Sequence, residues 1–151
     1  NLHQPIEEII HKINPDNIVD FGCGNGYLLS KFDVEPFGID CNPEVIRNAV
    51  EKILREYEEN FTVGDISDFN FDKDYDVVSI AVGRLIEMDE ETRKEFSKNL
   101  IEHSNTIVFS AYTDWLDMYD NFESLVKKAG FEVVEKVEGN NSVAGIVRCK
   151  G

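Results

Sequence analysis

The sequence predicts an α/β fold: a mostly parallel sheet with helices on both faces and a last strand that runs against the rest. Three observations carry this expectation. Short apolar runs alternate with helical stripes from one end of the chain to the other. Ile18-Val19 leads directly into Asp20-Phe21-Gly22-Cys23-Gly24-Asn25-Gly26, so a strand passes straight into a glycine-rich turn. Near the C-terminus two strand-like runs flank Gly139-Asn140-Asn141, a hairpin turn, and strands joined by a hairpin are antiparallel.

The elements follow in order. Pro5 suits the first turn of a helix whose apolar face is Ile6, Ile9, Ile10 and Ile13, and Asn14-Pro15-Asp16 stops it. Asn17 to Phe21 reads as a strand buried on both faces, as parallel strands are. Tyr27, Leu28, Leu29 and Phe32 make a short helix, and Pro36 to Asp40 a second strand. Asn42 caps the next helix and Pro43 starts it. Val45, Ile46, Ala49, Val50, Ile53, Leu54 and Tyr57 give it a sustained stripe, the clearest helical signal in the chain. Strands follow at Phe61 to Gly64 and Asp76 to Ala81. A helix capped by Asp89 runs to about His103 with Phe96, Leu100 and Ile101 inward. Thr106 to Phe109 is a fifth strand. Phe122, Leu125, Val126 and Ala129 mark a last helix that Gly130 ends. Phe131 to Val137 and Ser142 to Cys149 close the chain as a hairpin. Crossover connections make the first five strands parallel and right-handed. No repeat or linker interrupts the pattern, so one domain is expected over residues 1–151.

Composition narrows the function. A chain of 151 residues with 42% hydrophobic and 30% charged residues reads as globular. A formal net charge of −15 argues against a nucleic-acid partner, which needs clustered Lys and Arg, and favours cationic or neutral molecules and basic protein segments. Cys23, Cys41 and Cys149 are odd in number and widely spaced, which argues against a disulfide scaffold and points to a reducing cytoplasm. No run approaches the length of a membrane span.

The glycine turn selects among adenosine-containing ligands. A dinucleotide fingerprint asks for G-x-G-x-x-G, whereas Gly22, Gly24 and Gly26 give G-x-G-x-G with Tyr27 next. Asp20 decides more. A carboxylate beside the turn repels a pyrophosphate and attracts an ammonium or sulfonium group. Asp40 ends the second strand, where a carboxylate accepts hydrogen bonds from both ribose hydroxyls. Asp65-Ile66 follows the third strand, placed to meet an adenine amino group and to cover its ring. These strand ends share one edge of the sheet, where open α/β sheets bind ligands.

At these residues the chain resembles the class I S-adenosylmethionine-dependent methyltransferases. Val19-Asp20-Phe21-Gly22-Cys23-Gly24-Asn25-Gly26 is similar to their first motif, Gly38-Ile39-Asp40 to their second and Val63-Gly64-Asp65-Ile66 to their third. Tyr75-Asp76-Val77-Val78-Ser79-Ile80 resembles their fourth strand, and Gly130-Phe131-Glu132-Val133 their C-terminal end. The resemblance implies a Rossmann-like sheet of seven strands, the seventh antiparallel between the fifth and sixth, and S-adenosylmethionine as cofactor. It places Asp20 near the methionine part, with Gly22, Cys23, Gly24 and Gly26 forming the loop beneath. It places Asp40 on the ribose, Cys41 beside the adenine, Asp65 and Ile66 on the adenine, and Ala81 and Val82 at the sulfonium end. The helix after the glycine turn is short, and no inserted cap covers the pocket. A mobile N-terminal segment, a partner subunit or a second copy of the chain would have to exclude water.

Methyl transfer from a sulfonium is an in-line displacement with a good leaving group, so alignment and desolvation matter most and no universal catalytic residue is required. The segment Ser79-Ile80-Ala81-Val82-Gly83-Arg84 lacks the Asn/Asp-Pro-Pro-aromatic pattern of exocyclic-amine methyltransferases. No paired histidines and acids at metal spacing follow the fourth strand, so no metal is expected. Acceptor contacts are expected from the loops after the fourth and fifth strands: Arg84 and Glu87, which also read as an exposed ion pair, and the aromatic wall Tyr112 and Trp115. His3 reads as a solvated residue or as a flap over the cofactor.

The expected activity is methyl transfer to a small molecule or a protein. Three competitors remain. A nicotinamide-dependent oxidoreductase fails for want of a third glycine and for Asp20. An aminopropyl transferase requires an acidic substrate pocket. A non-catalytic subunit that activates a partner would keep the fold, but the intact turn and Asp40 favour an enzyme.

Overall fold

A computed structural model describes residues 3–24, 26–53, 55–116 and 121–150, with the side chains of 52, 53 and 115 outside that description. Helix α1 (Gln4–Ile13) has Pro5 in its first turn, buries Ile6, Ile9 and Ile10, and ends at Asn14 in the left-handed region. Strand β1 (Asn17–Phe21) leads into the glycine turn, a 3-10 turn follows at Leu29–Lys31, and β2 (Glu35–Asp40) comes next. Helix α2 (Pro43–Asn48) is capped by the Asn42 side chain, which accepts from the Glu44 and Val45 N–H groups.

Beyond α2 the chain departs from the helix its stripe predicts. It widens into a π-helical turn at Ala49–Ile53 and tightens into 3-10 turns at Arg55–Asn60, with a break at Tyr57 (φ −114, ψ 25). β-Branched Val50 and the like-charged pair Glu56 and Glu59 weaken a regular helix. The chain must also start β3 (Phe61–Val63) with Phe61 opposite Gly38, midway along β2. Leu54 and the Ile53 side chain, both in the expected stripe, lie outside the described residues.

Strand β4 (Tyr75–Ala81) runs directly into helix α3 (Val82–Glu87), a segment read from sequence as loop. Helix α4 (Glu90–His103) has Asp89 as its cap, its carboxylate accepting from the Thr92 N–H at 2.8 Å. Phe96 and Leu100 are inward as expected, but Ile101 is 42% exposed, because it falls on the stripe facing away from the sheet. Strand β5 (Ser104–Tyr112), helices α5 (Thr113–Leu116) and α6 (Phe122–Lys128), and strands β6 (Phe131–Glu138) and β7 (Ser142–Cys149) complete the chain. Gly130 follows α6 at φ 94, the left-handed stop its position predicts.

The seven strands form one sheet in the order β3-β2-β1-β4-β5-β7-β6. β7 is antiparallel to both β5 and β6, and the rest are parallel, the Rossmann-like arrangement the sequence implied. Strand residues alternate between two cores. Val78, Phe109 and Phe21 pack under α4 and α6 with Phe96, Leu100 and Leu125. Val77, Val108 and Ile18 pack under α1 and α2 with Ile9, Ile10 and Ile46. Both faces are dry, as a parallel sheet requires. Among the described residues no helix is long and apolar enough to cross a membrane.

Candidate functional site

The site forms where β1, β2, β3, β4 and β5 end. Gly22 and Gly24 take φ 78 and 56, which only glycine adopts without strain, so the chain reverses tightly after Phe21. The reversal lies over β2: the Gly22 and Cys23 N–H groups both donate to the Ile39 carbonyl, at 2.8 and 3.1 Å. This approach needs Gly38, where a Cβ would stand 2.7 Å from both the Cys23 Sγ and the Phe61 ring. Gly26 is buried one turn on, its N–H donating to the Cys23 carbonyl at 3.1 Å.

Asp20 lies opposite Gly38 on one side and Ser79 on the other, so its side chain stands in the middle of the sheet edge. It is 8% exposed. Burial, then the neighbouring Asp40 charge, push its carboxyl up to about 7, against a hydrogen bond from Ser79 that holds it down. No salt bridge to Asp20 is found among the described residues. Asp40 braces the turn: Oδ2 accepts from the Gly24 N–H and Oδ1 from the Asn42 N–H, each at 3.0 Å. Each oxygen keeps a lone pair for a ligand. Burial, then the charges of Asp20 and Asp40, hold the Cys23 thiol far above its ordinary range, so it is an inert packing group. Cys41 and Cys149 are exposed.

Asp65 caps a 3-10 turn (Ile66–Asp68), its Oδ1 accepting from the Ser67 N–H at 2.9 Å and the Ser67 hydroxyl at 2.7 Å. Those bonds, with the Arg84 charge as a lesser cause, hold its pKa below the usual carboxylate range. Ile66 is half-buried against the core.

Three hollows adjoin along this edge. One of about 260 Å³ is lined by Asp20, Gly22, Cys23, Ser79, Ala81, Ser110, Tyr112, Ser142 and His3, with Arg84. A smaller one of about 80 Å³ is lined by Gly22, Asp40, Cys41, Gly64, Asp65, Ile66 and Arg84. A third of about 380 Å³ holds Asp65, Ile66, Arg84, Glu87 and Asp89. The first two share Gly22 and all three share Arg84. Val82 lines none of them; it is fully buried in the core, because α3 begins there and turns its first residue inward. Arg84 and Glu87 form no salt bridge; the guanidinium turns over the glycine turn, its Nε 3.9 Å from where a Gly22 Cβ would be. The Trp115 side chain lies outside the described residues. Burial lowers the His3 pKa, so its ring is neutral at pH 7. Among the described residues no three His, Cys, Asp or Glu stand close enough to hold a metal.

Sequence reasoning missed Ser79, Ser110 and Ser142. The available signal was polarity out of place: Ser79 interrupts the apolar run of β4 and is 2% exposed, and Ser142 is 5% exposed.

A seven-stranded sheet with β7 reversed, a glycine turn after β1 and carboxylates at the ends of β1, β2 and β3 defines a nucleoside-binding methyltransferase fold. The family model described as "Methyltransferase domain" matches residues 18–106. The chain belongs to that family, the class I S-adenosylmethionine-dependent methyltransferases, and S-adenosylmethionine is its cofactor. Solved structures share the fold. A TehB-like S-adenosylmethionine-dependent methyltransferase from Corynebacterium glutamicum is 20% identical, with a TM-score of 0.62, covering 95% of this chain and 86% of its own. The N-methyltransferase NodS from Bradyrhizobium japonicum is 15% identical, with a TM-score of 0.67 and coverage of 97% and 95%. The glycopeptide N-methyltransferase MtfA, solved with sinefungin, is 13% identical, with a TM-score of 0.69 and coverage of 95% and 85%.

Proposed function

We propose that this protein is an enzyme that transfers the methyl group of S-adenosylmethionine to a small-molecule or protein acceptor. The observation that carries the proposal is Asp20: a buried carboxylate beside a second carboxylate, without a salt bridge among the described residues, is stabilised by a ligand that brings positive charge. The residues fit the cofactor. Asp20 and the glycine turn would hold its amino-acid end, Asp40 the ribose, and Asp65 and Ile66 the adenine, with Cys41 at the rim. When bound, the cofactor supplies a methyl group on a sulfonium that departs as a neutral thioether.

The chain's own task is then to align the acceptor and exclude water. Ala81, Tyr112 and Ser110 border the space beside Asp20, and Tyr112, 53% exposed, offers a ring face to a planar or cationic acceptor. His3, neutral at pH 7, is able to take a proton on a ring nitrogen from an acceptor that must lose one. Among the described residues the three hollows carry Asp20, Asp40, Asp65, Glu87 and Asp89 against a single Arg or Lys, Arg84, which favours a neutral or basic acceptor over nucleic acid. Within that field Arg84 is placed to meet an acidic group of the acceptor.

Titration calorimetry with S-adenosylmethionine and NADH tests the first step. Binding of the former alone is expected, and preference for NADH would overturn the reading. Isotope-labelled methyl transfer into metabolite and peptide pools then identifies the acceptor; a protein that binds the cofactor and labels neither pool would refute the enzymatic part.

A further inference from the structure

A hollow of about 490 Å³ shares no lining residue with the cofactor cleft. β7 places it: Ser142, at the start of the strand, lines the cleft, while Cys149, at the end, lines this groove. Eight residues of strand separate the two by roughly 23 Å. One wall is the outer face of α4, where Arg93, Lys94, Ser97, Lys98 and Ile101 recur at helical spacing; the other is Lys128 to Phe131 at the end of α6.

The groove's chemistry runs against the rest of the molecule. Arg93, Lys94, Lys98 and Lys128 face Glu90 and Glu102, in a chain whose formal net charge is −15. Lys94 is paired with Glu90 at 3.3 Å, both exposed. No salt bridge to Arg93 or Lys98 is found among the described residues. Between the cations Ile101 is 42% exposed, and behind it Ala129 and Phe131 are buried in the core. The Ser97 hydroxyl, on the same wall, is a buried atom with no hydrogen-bond partner among the described residues. An isoleucine on the outer face of an otherwise polar helix, ringed by cations, has the make-up of an interface centre with a charged rim.

We infer that this groove docks an acidic segment of a partner protein, with an apolar side chain seated on Ile101 and carboxylates on Arg93 and Lys98. Charge complementarity selects the occupant: Arg93, Lys94, Lys98 and Lys128 outnumber Glu90 and Glu102 in the groove of a chain whose formal net charge is −15, which favours a negatively charged peptide. The exposed Ile101 side chain favours a peptide over RNA, whose backbone offers it nothing. The groove shares no lining residue with the three hollows of the cleft, and its Glu90 and Arg93 end adjoins Asp89 of the third.

The test uses the full chain and a fluorescein-labelled peptide of about twelve Asp and Glu residues around one central leucine, followed by fluorescence anisotropy. Saturable binding is expected, weakened at least about tenfold between about 50 and 500 mM salt. It should also be weakened at least about tenfold by Arg93→Glu with Lys98→Glu, and several-fold when glycine replaces the leucine. Circular dichroism melting verifies that the double variant is folded; should it not be, Arg93→Gln with Lys98→Gln takes its place. Absence of saturable binding, or undiminished binding by a folded variant, overturns the inference. So does tighter binding of an oligouridylate of similar length that is lost in the same variant, which would reassign the groove to RNA.

Discussion

Replacing Asp20 by Asn should make the ligand-free protein more stable above neutral pH while removing its cofactor affinity. In the folded chain the carboxyl is pushed up to about 7 from an ordinary 3.8 by burial and by Asp40. The unfolded chain sheds this proton near pH 4, whereas the folded chain holds it until about pH 7. Between those values the folded state binds more protons, so stability falls as pH rises, and above about pH 7 the whole deficit is present. Its size is the interval between 3.8 and about 7 at about 1.4 kcal/mol per pH unit, or about 4 kcal/mol. For a chain of this length that is about 10 °C in melting temperature. Asn keeps an acceptor for the Ser79 hydroxyl and carries no charge to desolvate.

The assay is urea unfolding of both proteins from about pH 4 to 8 without cofactor. Subtracting one curve from the other cancels every other titrating group. The advantage of Asn should grow through that window and level off above about pH 7. A difference independent of pH would refute the reasoning. Cofactor binding reverses the sign: an ammonium brought beside Asp20 ionises it, so wild-type titrations near pH 6 should release a proton. Calorimetry in two buffers of different ionisation enthalpy measures that release.

Asp40→Ala should weaken S-adenosylmethionine binding by about 1–3 kcal/mol and loosen the turn, because the Gly24 and Asn42 N–H groups lose their acceptor. Calorimetry and thermal melting report the two effects separately, and undiminished affinity would put the ribose elsewhere. Gly38→Ala drives a methyl group into Cys23 and Phe61, so a loss of about 1–3 kcal/mol is expected in urea unfolding; a neutral outcome would mean that the turn yields freely. Gly24→Val should abolish cofactor binding even in a folded protein. Its φ of 56 is hostile to a branched side chain, so the turn that carries Gly22 and Cys23 into the cleft must change, although Gly24 itself lines none of the three hollows. Normal affinity in calorimetry would make the turn merely structural.

Much of this molecule was legible from local chemistry. Asn42-Pro43 and Asp89 announced helix starts, Gly130 a helix stop, and Gly139-Asn140-Asn141 a hairpin, because caps and turns are set by neighbours in sequence. The glycine turn, with Asp20 in β1, Asp40 at the end of β2 and Asp65 after β3, was legible as one edge of the sheet for the same reason. Other features depended on which strands lie side by side. The approach of Asp20 to Gly38 and Ser79 is a matter of register between β1, β2 and β4, and that register sets the raised carboxyl. Periodicity alone gave an unbroken helix after Pro43, whereas delivering Phe61 to the middle of β2 broke it. The direct junction of β4 and α3 turned Val82 into the core and carried Arg84 over the cleft, and the packing of α4 left Ile101 outside. A sequence fixes what each residue prefers next to its neighbours in the chain; burial and charge depend on residues brought together from far apart, and only the assembled sheet sets those.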